Sequence, residues 1–338
     1  MRAWRSLTLG AVGAVLSVGL AACGSSTSGT TAEPAGSTGA SAAPGAAGTA
    51  YPRTVKHAMG ETEIPAQPKR VVALDQSFVD AVLTLDTEVV GYTTYRAIEE
   101  KLPDYLAPVL DQAKQATSVG TLEQPSLERI VALKPDLIVS AKVRHEALYD
   151  KLSQIAPTVF SETTGGLWKE NLRLMGKALG KEDLAEQRIT AYQERAAKIG
   201  ESIKAKDGEL PTISVVRFAG EPTVRLYVEN SYVGLVLKDA GFPRPKDQPT
   251  VTDTIMVPIS QENIAQLDAD HIFVTAYLDP AVAPVKEKFE ANPLWGKLKG
   301  TKHEVSDTTW ISAVGLQGAH AILDDVAKIF EVDPAKAA

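Results

Sequence analysis

The residues from Glu182 to Lys206 carry one continuous hydrophobic pattern with the period of an α-helix. Apolar side chains recur at alternating spacings of four and three residues, and they are Ala185, Ile189, Tyr192, Ala196, Ile199 and Ile203. Glu182 and Asp183 stand at the start and lysines near the end, as a helix dipole favours. At about 1.5 Å per residue the helix would span roughly 37 Å, which is more than packing inside one small α/β lobe requires. We therefore expect this helix to join two lobes.

Two segments on either side of this helix repeat one pattern. PSLERIVALKPDLIV begins at Pro125, and ISQENIAQLDADHIFV begins at Ile259. Six positions are identical at one constant offset, namely Ser126 and Ser260, Glu128 and Glu262, Ile130 and Ile264, Leu133 and Leu267, Asp136 and Asp270, and Ile138 and Ile272. The repetition predicts the same helix-then-strand unit in both lobes. The alternative is a chance likeness between two ordinary amphipathic units.

The N-terminus has the pattern of an export signal. The apolar run from Leu7 to Leu20 follows two arginines and ends in Leu-Ala-Ala-Cys, which indicates a signal peptide rather than a transmembrane helix. The pattern resembles a bacterial lipoprotein signal, in which cleavage leaves Cys23 as a lipidated N-terminus. A free or buried cysteine is the alternative. Because Cys23 is the only cysteine, no disulfide can form within the chain.

Composition divides the rest of the chain. Apart from Tyr51 and the single charge of Glu33, residues 24–52 are Gly, Ser, Thr, Ala and Pro, which is the composition of a flexible tether. The formal net charge is −7 and no basic tract occurs, so nucleic acid is not an expected partner. We predict a signal peptide at 1–22, a lipidated Cys and linker at 23–52, a first lobe at 53–180, the joining helix at 181–207 and a second lobe at 208–338.

Short apolar runs alternate with helical patterns in both lobes. The strand candidates are residues 69–74, 88–92, 136–140, 158–160, 212–218, 224–227, 271–275 and 304–306. This alternation predicts an α/β fold of two Rossmann-like lobes with mostly parallel sheets, joined by one long α-helix. Ligands of such sheets lie beyond the carboxyl ends of the strands, so the loops after the strands are the candidate site.

Aromatic and cationic side chains recur in those loops. The candidate ligand-binding residues are Tyr95, Arg96, Lys142, Arg144, Trp168, Arg217, Arg225, Tyr227, Tyr232, Tyr277 and Trp310. Each has an ordinary alternative, because tyrosines and tryptophans are often packing residues and cations are usually solvated. Arg217 is the strongest candidate, since it ends an apolar strand where a charge without a partner would be unfavourable.

Signatures of enzymes and of direct metal binding are missing. The sequence has no G-x-S-x-G elbow, no G-x-x-x-x-G-K-[ST] phosphate loop and no H-E-x-x-H pair. The histidines His57, His145, His271, His303 and His320 lack the spacing of metal ligands. We therefore expect no enzyme and no directly bound metal or cofactor. The repeated acids Glu128 and Glu262 could dock on paired basic sites of a partner, although the helix dipole alone also favours them.

Several stretches together resemble one family. With the cysteine signal and PSLERIVALKPDLIV, they are YDKLSQIAPTV from Tyr149, NLRLMGKALG from Asn171, NSYVGLVLKDAGFPRP from Asn230 and NPLW from Asn292. From about Val55 to Phe330 the chain resembles iron-siderophore ABC transporter substrate-binding lipoproteins, the ferrichrome and iron-dicitrate type of periplasmic binding protein with a single linking helix (class III). The resemblance implies an iron complex held between two lobes, and it implies that Glu128 and Glu262 engage arginines of two permease subunits.

The function implied is that of a monomeric, lipid-anchored receptor on the extracytoplasmic face of the cell membrane. It would capture Fe(III) inside a siderophore, with a hydroxamate favoured, and deliver it to an ABC permease. Some hydroxamate-binding relatives place an Arg where this chain has Leu122, so Arg217 with Tyr277 or Trp310 are the better candidates. The sequence does not decide whether Arg96, Lys142, Arg144, Arg217 and Arg225 converge, as a triply anionic catecholate would require.

Two alternatives remain open. The first is a heme or corrinoid (vitamin B12-like) receptor of the same architecture, in which Tyr277 or a histidine ligates a metal. The second is a cell-surface lipoprotein enzyme, which would need a reactive pair that the sequence does not display.

Overall fold

The structure is a computed structural model that describes residues 50–95 and 101–336. Cys23, the predicted signal peptide and most of the predicted linker lie outside these residues, and so does Arg96. None of the helices in these two ranges combines the length and the hydropathy of a membrane span. The sequence placed Tyr51 in the linker, but the structure places it in the folded body. Its hydroxyl donates to the carbonyl of Ala178 at 3.0 Å.

The first lobe is built on a five-stranded parallel sheet. Its strands and the preceding hairpin are β1 Arg53–His57, β2 Gly60–Ile64, β3 Val71–Ala73, β4 Val89–Thr94, β5 Thr117–Thr121, β6 Leu137–Ala141 and β7 Thr158–Ser161. The helices are α1 Gln76–Thr84, α2 Leu127–Leu133, α3 Lys142–His145, α4 Tyr149–Ser153 and α5 Trp168–Leu179, with a 3-10 segment at Asp104–Ala113. The sheet order is β5-β4-β3-β6-β7, and β1 and β2 form a separate antiparallel hairpin.

One helix, α6 Glu182–Asp207, leads from the first sheet to the second. Its 26 residues span roughly 39 Å. All six apolar side chains of the predicted stripe are at most 1% exposed, so the prediction is confirmed. Gly200 lies on the same buried face, where a Cβ atom would come within 1.9 Å of the carbonyl oxygen of Ala240. Only glycine permits this close approach of α6 to the second lobe.

The second lobe repeats the architecture with a mixed sheet. Its elements are β8 Ile213–Phe218, β9 Val224–Tyr227, α7 Tyr232–Asp239, β10 Met256–Ile259, β11 His271–Ala276, α8 Val282–Glu290, β12 Thr301–Glu304 and α9 Leu316–Ile329. The order is β10-β9-β8-β11-β12, with β11 parallel to β8 and β12 and with β9 antiparallel to its neighbours. Two α/β lobes with mostly parallel sheets and one long joining helix are therefore present, as the sequence predicts.

The sequence repeat corresponds to a structural repeat. In the first lobe, the carboxylate of Asp136 accepts from the backbone N–H groups of Lys69 and Arg70, both at 2.9 Å. In the second lobe, Asp270 accepts from the backbone N–H of Thr212 at 2.8 Å. Each aspartate thus fixes the residues that enter the central strand of its sheet, β3 or β8. The second helix of the repeat is a 3-10 helix, Gln261–Leu267, where the first is α-helical.

The two lobes share one hydrophobic core. The largest apolar cluster runs from β3, α1 and α5 through α6 to β8, β11, α7 and α9, while smaller clusters cover the outer face of each sheet. The C-terminal helix α9, which follows the second sheet in sequence, packs against α1 of the first lobe. The lobes are therefore held together by packing as well as by the continuity of α6.

Polar contacts reinforce this shared core. Asp239 on α7 accepts from the ammonium of Lys169 on α5 at 2.6 Å and from the hydroxyl of Tyr192 on α6 at 2.9 Å. A single carboxylate of the second lobe therefore contacts the helix that joins the lobes and a helix of the first. Because these groups are largely withdrawn from water, the contacts are stronger than exposed ion pairs would be.

Arg195 on α6 makes a second set of contacts, with α9 and the C-terminal segment. It donates to the carbonyl of Pro334 at 2.8 Å and to Nδ1 of His320 at 3.0 Å, and it forms an ion pair with Asp324. Burial first, and the nearby Arg195 second, lower the pKa of His320 to about 4. The imidazole is therefore neutral at physiological pH and accepts a hydrogen bond from Arg195.

We predict that His320 makes the protein less stable in acid. Its pKa is lower in the folded protein than in the unfolded chain, so its contribution to stability is complete above about pH 6.5 and is lost as the pH falls towards 4. Between about pH 7 and about pH 4.5, urea denaturation should show that the wild type loses roughly 2 kcal/mol more unfolding free energy than His320→Gln. Parallel losses in the two proteins would contradict the prediction.

Candidate ligand-binding cavity

A cavity of about 220 Å³ lies between the two lobes. Residues that follow strands of the first lobe line one side, namely Asp75, Tyr95, Arg144, Thr164 and Gly165. The second lobe supplies Arg217, Arg225, Tyr227, Tyr232, Val233, Ile255, Trp310, Ile311, Ser312 and Val314. Seven of the eleven candidate residues from the sequence thus lie together at one cavity. Their contact with a ligand stays a prediction.

Arg217 forms a buried ion pair with Asp307. Its Nε and Nη2 atoms donate to the two carboxylate oxygens at 2.6 and 2.7 Å, and both residues are 4% exposed. Nη1 donates to the hydroxyl of Tyr227 at 3.4 Å. Burial lowers the pKa of the guanidinium, but Tyr227 and Asp307 outweigh burial and raise it. The partner that the buried charge of Arg217 requires is therefore supplied by the chain itself.

Arg225 stands directly opposite Arg217 on the neighbouring strand. Like charges at such positions repel each other. Glu221 compensates the second charge, because Arg225 contacts both oxygens of its carboxylate, with an Nε–Oε2 distance of 2.9 Å. This hydrogen bond raises the pKa of Arg225 and lowers that of Glu221. Each arginine has its own carboxylate, so the two cations can lie side by side.

Arg144 supplies the cation of the first lobe. Its Nε atom donates to Oδ2 of Asp75 at 2.9 Å. The other oxygen of Asp75 accepts from the backbone N–H and hydroxyl of Ser77, at 2.9 and 2.7 Å, and thereby caps α1. The start of α1 and the guanidinium are thus fixed by one buried carboxylate. Within the described residues the Nη groups of Arg144 donate to no protein acceptor, which leaves them available to a ligand.

Aromatic rings close the side of the second lobe. The hydroxyl of Tyr232 donates to the carbonyl of Gly315 at 2.7 Å, and Nε1 of Trp310 donates to Asp325 at 2.8 Å. The indole of Trp310 also stacks on Phe273 with ring centroids 4.5 Å apart. Because their polar atoms are already bonded within the protein, these two rings form a fixed apolar wall.

The structure does not place Trp168 or Lys142 at this cavity. Trp168 is 3% exposed and packs edge-to-face against Tyr192 and Tyr232, so its ring belongs to the core shared by the lobes. Lys142 is not among the lining residues, and its ammonium lies 3.6 Å from the carboxylate of Glu162. The position of Trp168 and Lys142 after a strand does not show in which direction their side chains point.

Of the two remaining candidates, the structure describes Tyr277 but not Arg96. Tyr277 does not line the cavity, but the guanidinium carbon of Arg217 lies 5.3 Å from the centre of its ring. A cation–π contact of this kind helps to position Arg217. Arg96 lies outside the described residues. The side chain of Leu122 is buried, and its carbonyl accepts from Nε2 of His145 at 2.7 Å.

Sequence reasoning missed the carboxylates Asp75, Glu221 and Asp307, together with the wall residues Ile255, Ile311, Ser312 and Val314. Asp75 and Asp307 could have been found, because each follows the end of a strand within a few residues, as the cationic candidates do. Groups of three or more His, Cys, Asp or Glu residues able to hold a metal do not occur in the described part of the chain.

The repeated acids lie on the surface, one in each lobe. Glu128 and Glu262 are exposed, and each belongs to the first turn of its helix. Neither forms an ion pair within residues 50–95 and 101–336. A hydrogen bond from Ser260 lowers the pKa of Glu262, so this carboxylate is ionised at neutral pH.

A family model for periplasmic binding proteins matches residues 71–304. The chain belongs to this family. It is 38% identical over 298 residues to the probable siderophore-binding lipoprotein YfiY of Bacillus subtilis, covering 82% of this chain and 87% of the relative. It is 29% identical over 294 residues to the Fe(3+) dicitrate-binding periplasmic protein FecB of Escherichia coli, covering 84% and 92%.

Solved structures agree with this assignment. The structure of Staphylococcus aureus SirA complexed with staphyloferrin B has a TM-score of 0.75 and 35% identity, and the match covers 83% of this chain and 99% of SirA. The family resemblance and the two-lobed fold predicted from the sequence are confirmed. The family and these relatives are solute-binding proteins, which confirms that the chain is not an enzyme.

We predict that Asp307 is required for stability because it neutralises a buried charge. Asp307→Ala leaves the guanidinium of Arg217 without a counter-ion and should lower the unfolding free energy by about 3 kcal/mol. Adding Arg217→Met should recover most of that loss. The control Glu221→Ala breaks a pair that is partly exposed, so it should cost about 1 kcal/mol or less. Equal stabilities of the single and double variants in urea denaturation would contradict the prediction.

Proposed function

We propose that this protein is an extracytoplasmic lipoprotein that captures a ferric siderophore between its lobes and delivers it to an ABC importer. The observation that carries the proposal is the convergence of three arginines, from both lobes, on one cavity with tyrosine and tryptophan walls. Guanidinium groups donate hydrogen bonds to the oxygens that surround a chelated ferric ion, and aromatic rings cover the organic skeleton. The names of YfiY and FecB, and the ligand of SirA, support the same class of ligand.

We further propose that the siderophore is anionic. The sequence favours a hydroxamate, which needs few positive charges, but Arg144, Arg217 and Arg225 all line the cavity. Each arginine is held from one side by a carboxylate, so its remaining N–H groups keep a fixed direction. Fixed donors suit a chelate that carries several carboxylate oxygens. FecB is named for ferric dicitrate, and this agrees with such a ligand.

A heme or corrinoid receptor of the same architecture is less well supported. The metal ligands that the sequence suggests for such a receptor, Tyr277 or a histidine, would have to lie at the cavity. Tyr277 does not line it, and neither do His57, His145, His271, His303 and His320, all of which lie in the described ranges. Binding spectra distinguish the two functions, since a heme complex gives a Soret band.

The test is a titration of the purified protein, followed by tryptophan fluorescence, with ferric dicitrate, ferric staphyloferrin B, a ferrioxamine, a ferric tris-catecholate and hemin. We expect the two carboxylate-bearing chelates to bind most tightly. Preference for the ferrioxamine would contradict the anionic class and keep the siderophore function. Binding of hemin alone, with a Soret band, would contradict both.

We predict that Arg144 contributes directly to affinity. Arg144→Gln removes a charged donor and should weaken binding of the preferred anionic chelate by about tenfold or more. The matched control is Lys142→Gln in the same short helix, which removes an equal charge outside the cavity and should change affinity less than about twofold. Equal losses in both variants would show that only the overall charge of the protein matters.

Delivery to a permease requires a docking surface, and we propose Glu128 and Glu262 for it. They are exposed, come from equivalent positions of the two lobes and have no ion-pair partner within the described residues. Two carboxylates at a fixed separation can set the orientation of a docked complex as well as its rate of association. Lipidation at Cys23, which lies outside the described residues, would keep the protein at the membrane surface.

We predict that Glu128→Ala with Glu262→Ala lowers uptake of radioactive iron by cells at least about fivefold and leaves siderophore affinity unchanged. The control is Glu194→Ala with Glu201→Ala, which removes two exposed charges from α6 and should leave uptake intact. Normal uptake in the first variant would contradict the docking role.

A further inference from the structure

One wall of the cavity is held in an unusual backbone conformation. We call Trp310 to Gly315 the wall segment, and four of its residues line the cavity: Trp310, Ile311, Ser312 and Val314. Val314 has φ of 42°, in the left-handed region that a β-branched residue rarely adopts. Such a conformation persists only where the surrounding structure enforces it. The contacts that hold the wall segment therefore help to define the shape of the cavity.

Hydrogen bonds from both lobes hold its backbone. Tyr232 of the second lobe donates to the carbonyl of Gly315 at 2.7 Å. Tyr105, from the 3-10 segment of the first lobe, lies with its hydroxyl 3.5 Å from the carbonyl of Ala313. Both tyrosines are largely buried, so these contacts are shielded from water.

Asp80 on α1 binds the start of α9, which directly follows the wall segment. Its carboxylate is fully buried and accepts from the backbone N–H of Gln317, at 3.1 and 3.0 Å to its two oxygens, and from that of Gly318 at 3.1 Å. These N–H groups belong to the first turn of α9, where a helix supplies no acceptor of its own. The hydroxyl of Thr84 donates to the same carboxylate at 3.2 Å.

The backbone at Gly315 is packed tightly against the side chain of Asp80. A Cβ atom at Gly315 would lie 2.3 Å from Cγ of Asp80, so the wall segment touches the carboxylate directly. Burial raises the pKa of Asp80 to about 6, against the hydrogen bonds from Gln317 and Gly318, which lower it. The group is therefore ionised at neutral pH, the state that the N-terminus of a helix favours.

We propose that Asp80 is a positioning residue for ligand binding, although it does not line the cavity. It fixes the start of α9, and with it the wall segment, against the first lobe. Without Asp80 the start of α9 would lose these hydrogen bonds, and the wall segment with its left-handed turn at Val314 would sample other conformations. The part of this inference that concerns affinity rests on the proposed siderophore function, whereas the part that concerns the wall does not.

The wall can be tested in the ligand-free protein by hydrogen–deuterium exchange. In Asp80→Ala we expect residues 310–318 to exchange at least about tenfold faster than in the wild type, because local opening becomes easier. The matched control is Asp136→Ala, which also removes a carboxylate that binds two backbone N–H groups of the first lobe, away from the wall segment. It should leave exchange in residues 310–318 unchanged. Equal exchange in the two variants would overturn the proposal.

Affinity is the second readout. For ferric dicitrate and ferric staphyloferrin B, Asp80→Ala should raise the dissociation constant at least about fivefold, and Asp136→Ala should not. Faster exchange with unchanged affinity would reduce Asp80 to a purely structural role and overturn the proposal. If neither chelate binds the wild type, the anionic class of ligand is wrong; if no ferric siderophore of the titration binds it, the proposed function fails. In both cases the exchange experiment still decides whether Asp80 holds the wall.

Two further variants cover the case in which Asp80→Ala does not fold. Asp80→Asn keeps one oxygen acceptor and should give intermediate exchange and affinity. Gly315→Ala keeps the carboxylate but forces the wall segment away from it, and it should reproduce the loss of affinity. Wild-type behaviour of both variants would overturn the proposal.

Discussion

The structure depends on one apolar interior that passes through both lobes. The buried stripe of α6 forms its middle, and the inner faces of the two sheets close it on either side. Because protein interiors are close-packed, the lobes cannot shift relative to one another without breaking many contacts at once. The cavity between the lobes is therefore bounded by walls whose relative position is fixed by the core. A preformed cavity of this kind avoids the cost of ordering its walls when a ligand binds.

Among the described residues, each arginine that lines the cavity forms an ion pair with its own carboxylate. Arg144 has Asp75, Arg217 has Asp307 and Arg225 has Glu221. A buried cation needs such a partner, and the partner also fixes the direction of the guanidinium. The same ion pairs therefore stabilise the fold and orient the arginines for a ligand. Removing a carboxylate would disturb the fold and the binding geometry together.

Much of this architecture could be read from local patterns. The period of the helical stripe predicted α6 and six of its buried positions, although not the buried Arg195 and Gly200. The repeat predicted equivalent helix-strand units with equivalent aspartates. Strand β5 was missed because Thr117–Thr121 contains one large apolar residue, and the contact of α9 with α1 was missed because no local pattern encodes it. Periodicity reports which side chains are buried and does not report what they are buried against.

The candidate site shows the same limit. Trp168 and Trp310 each follow the end of a strand by a few residues, yet of the two only Trp310 lines the cavity, since the direction of a ring depends on its neighbours in space. For Arg217 the sequence argument correctly required a partner for a buried charge. The partner is Asp307, which is distant in sequence and belongs to the same chain. The need for a partner is a local property, and its identity is a property of the fold.

The pairing of arginines with carboxylates also bears on the speed of capture. A cavity whose cations are individually neutralised presents little net charge beyond a distance of about one Debye length. The chain as a whole carries a formal charge of −7, which repels an anion at long range. Electrostatic steering would therefore not accelerate the approach of an anionic chelate. Salt screens this long-range repulsion, so the association rate should not fall as ionic strength rises. Selectivity should arise from short-range hydrogen bonds after the encounter.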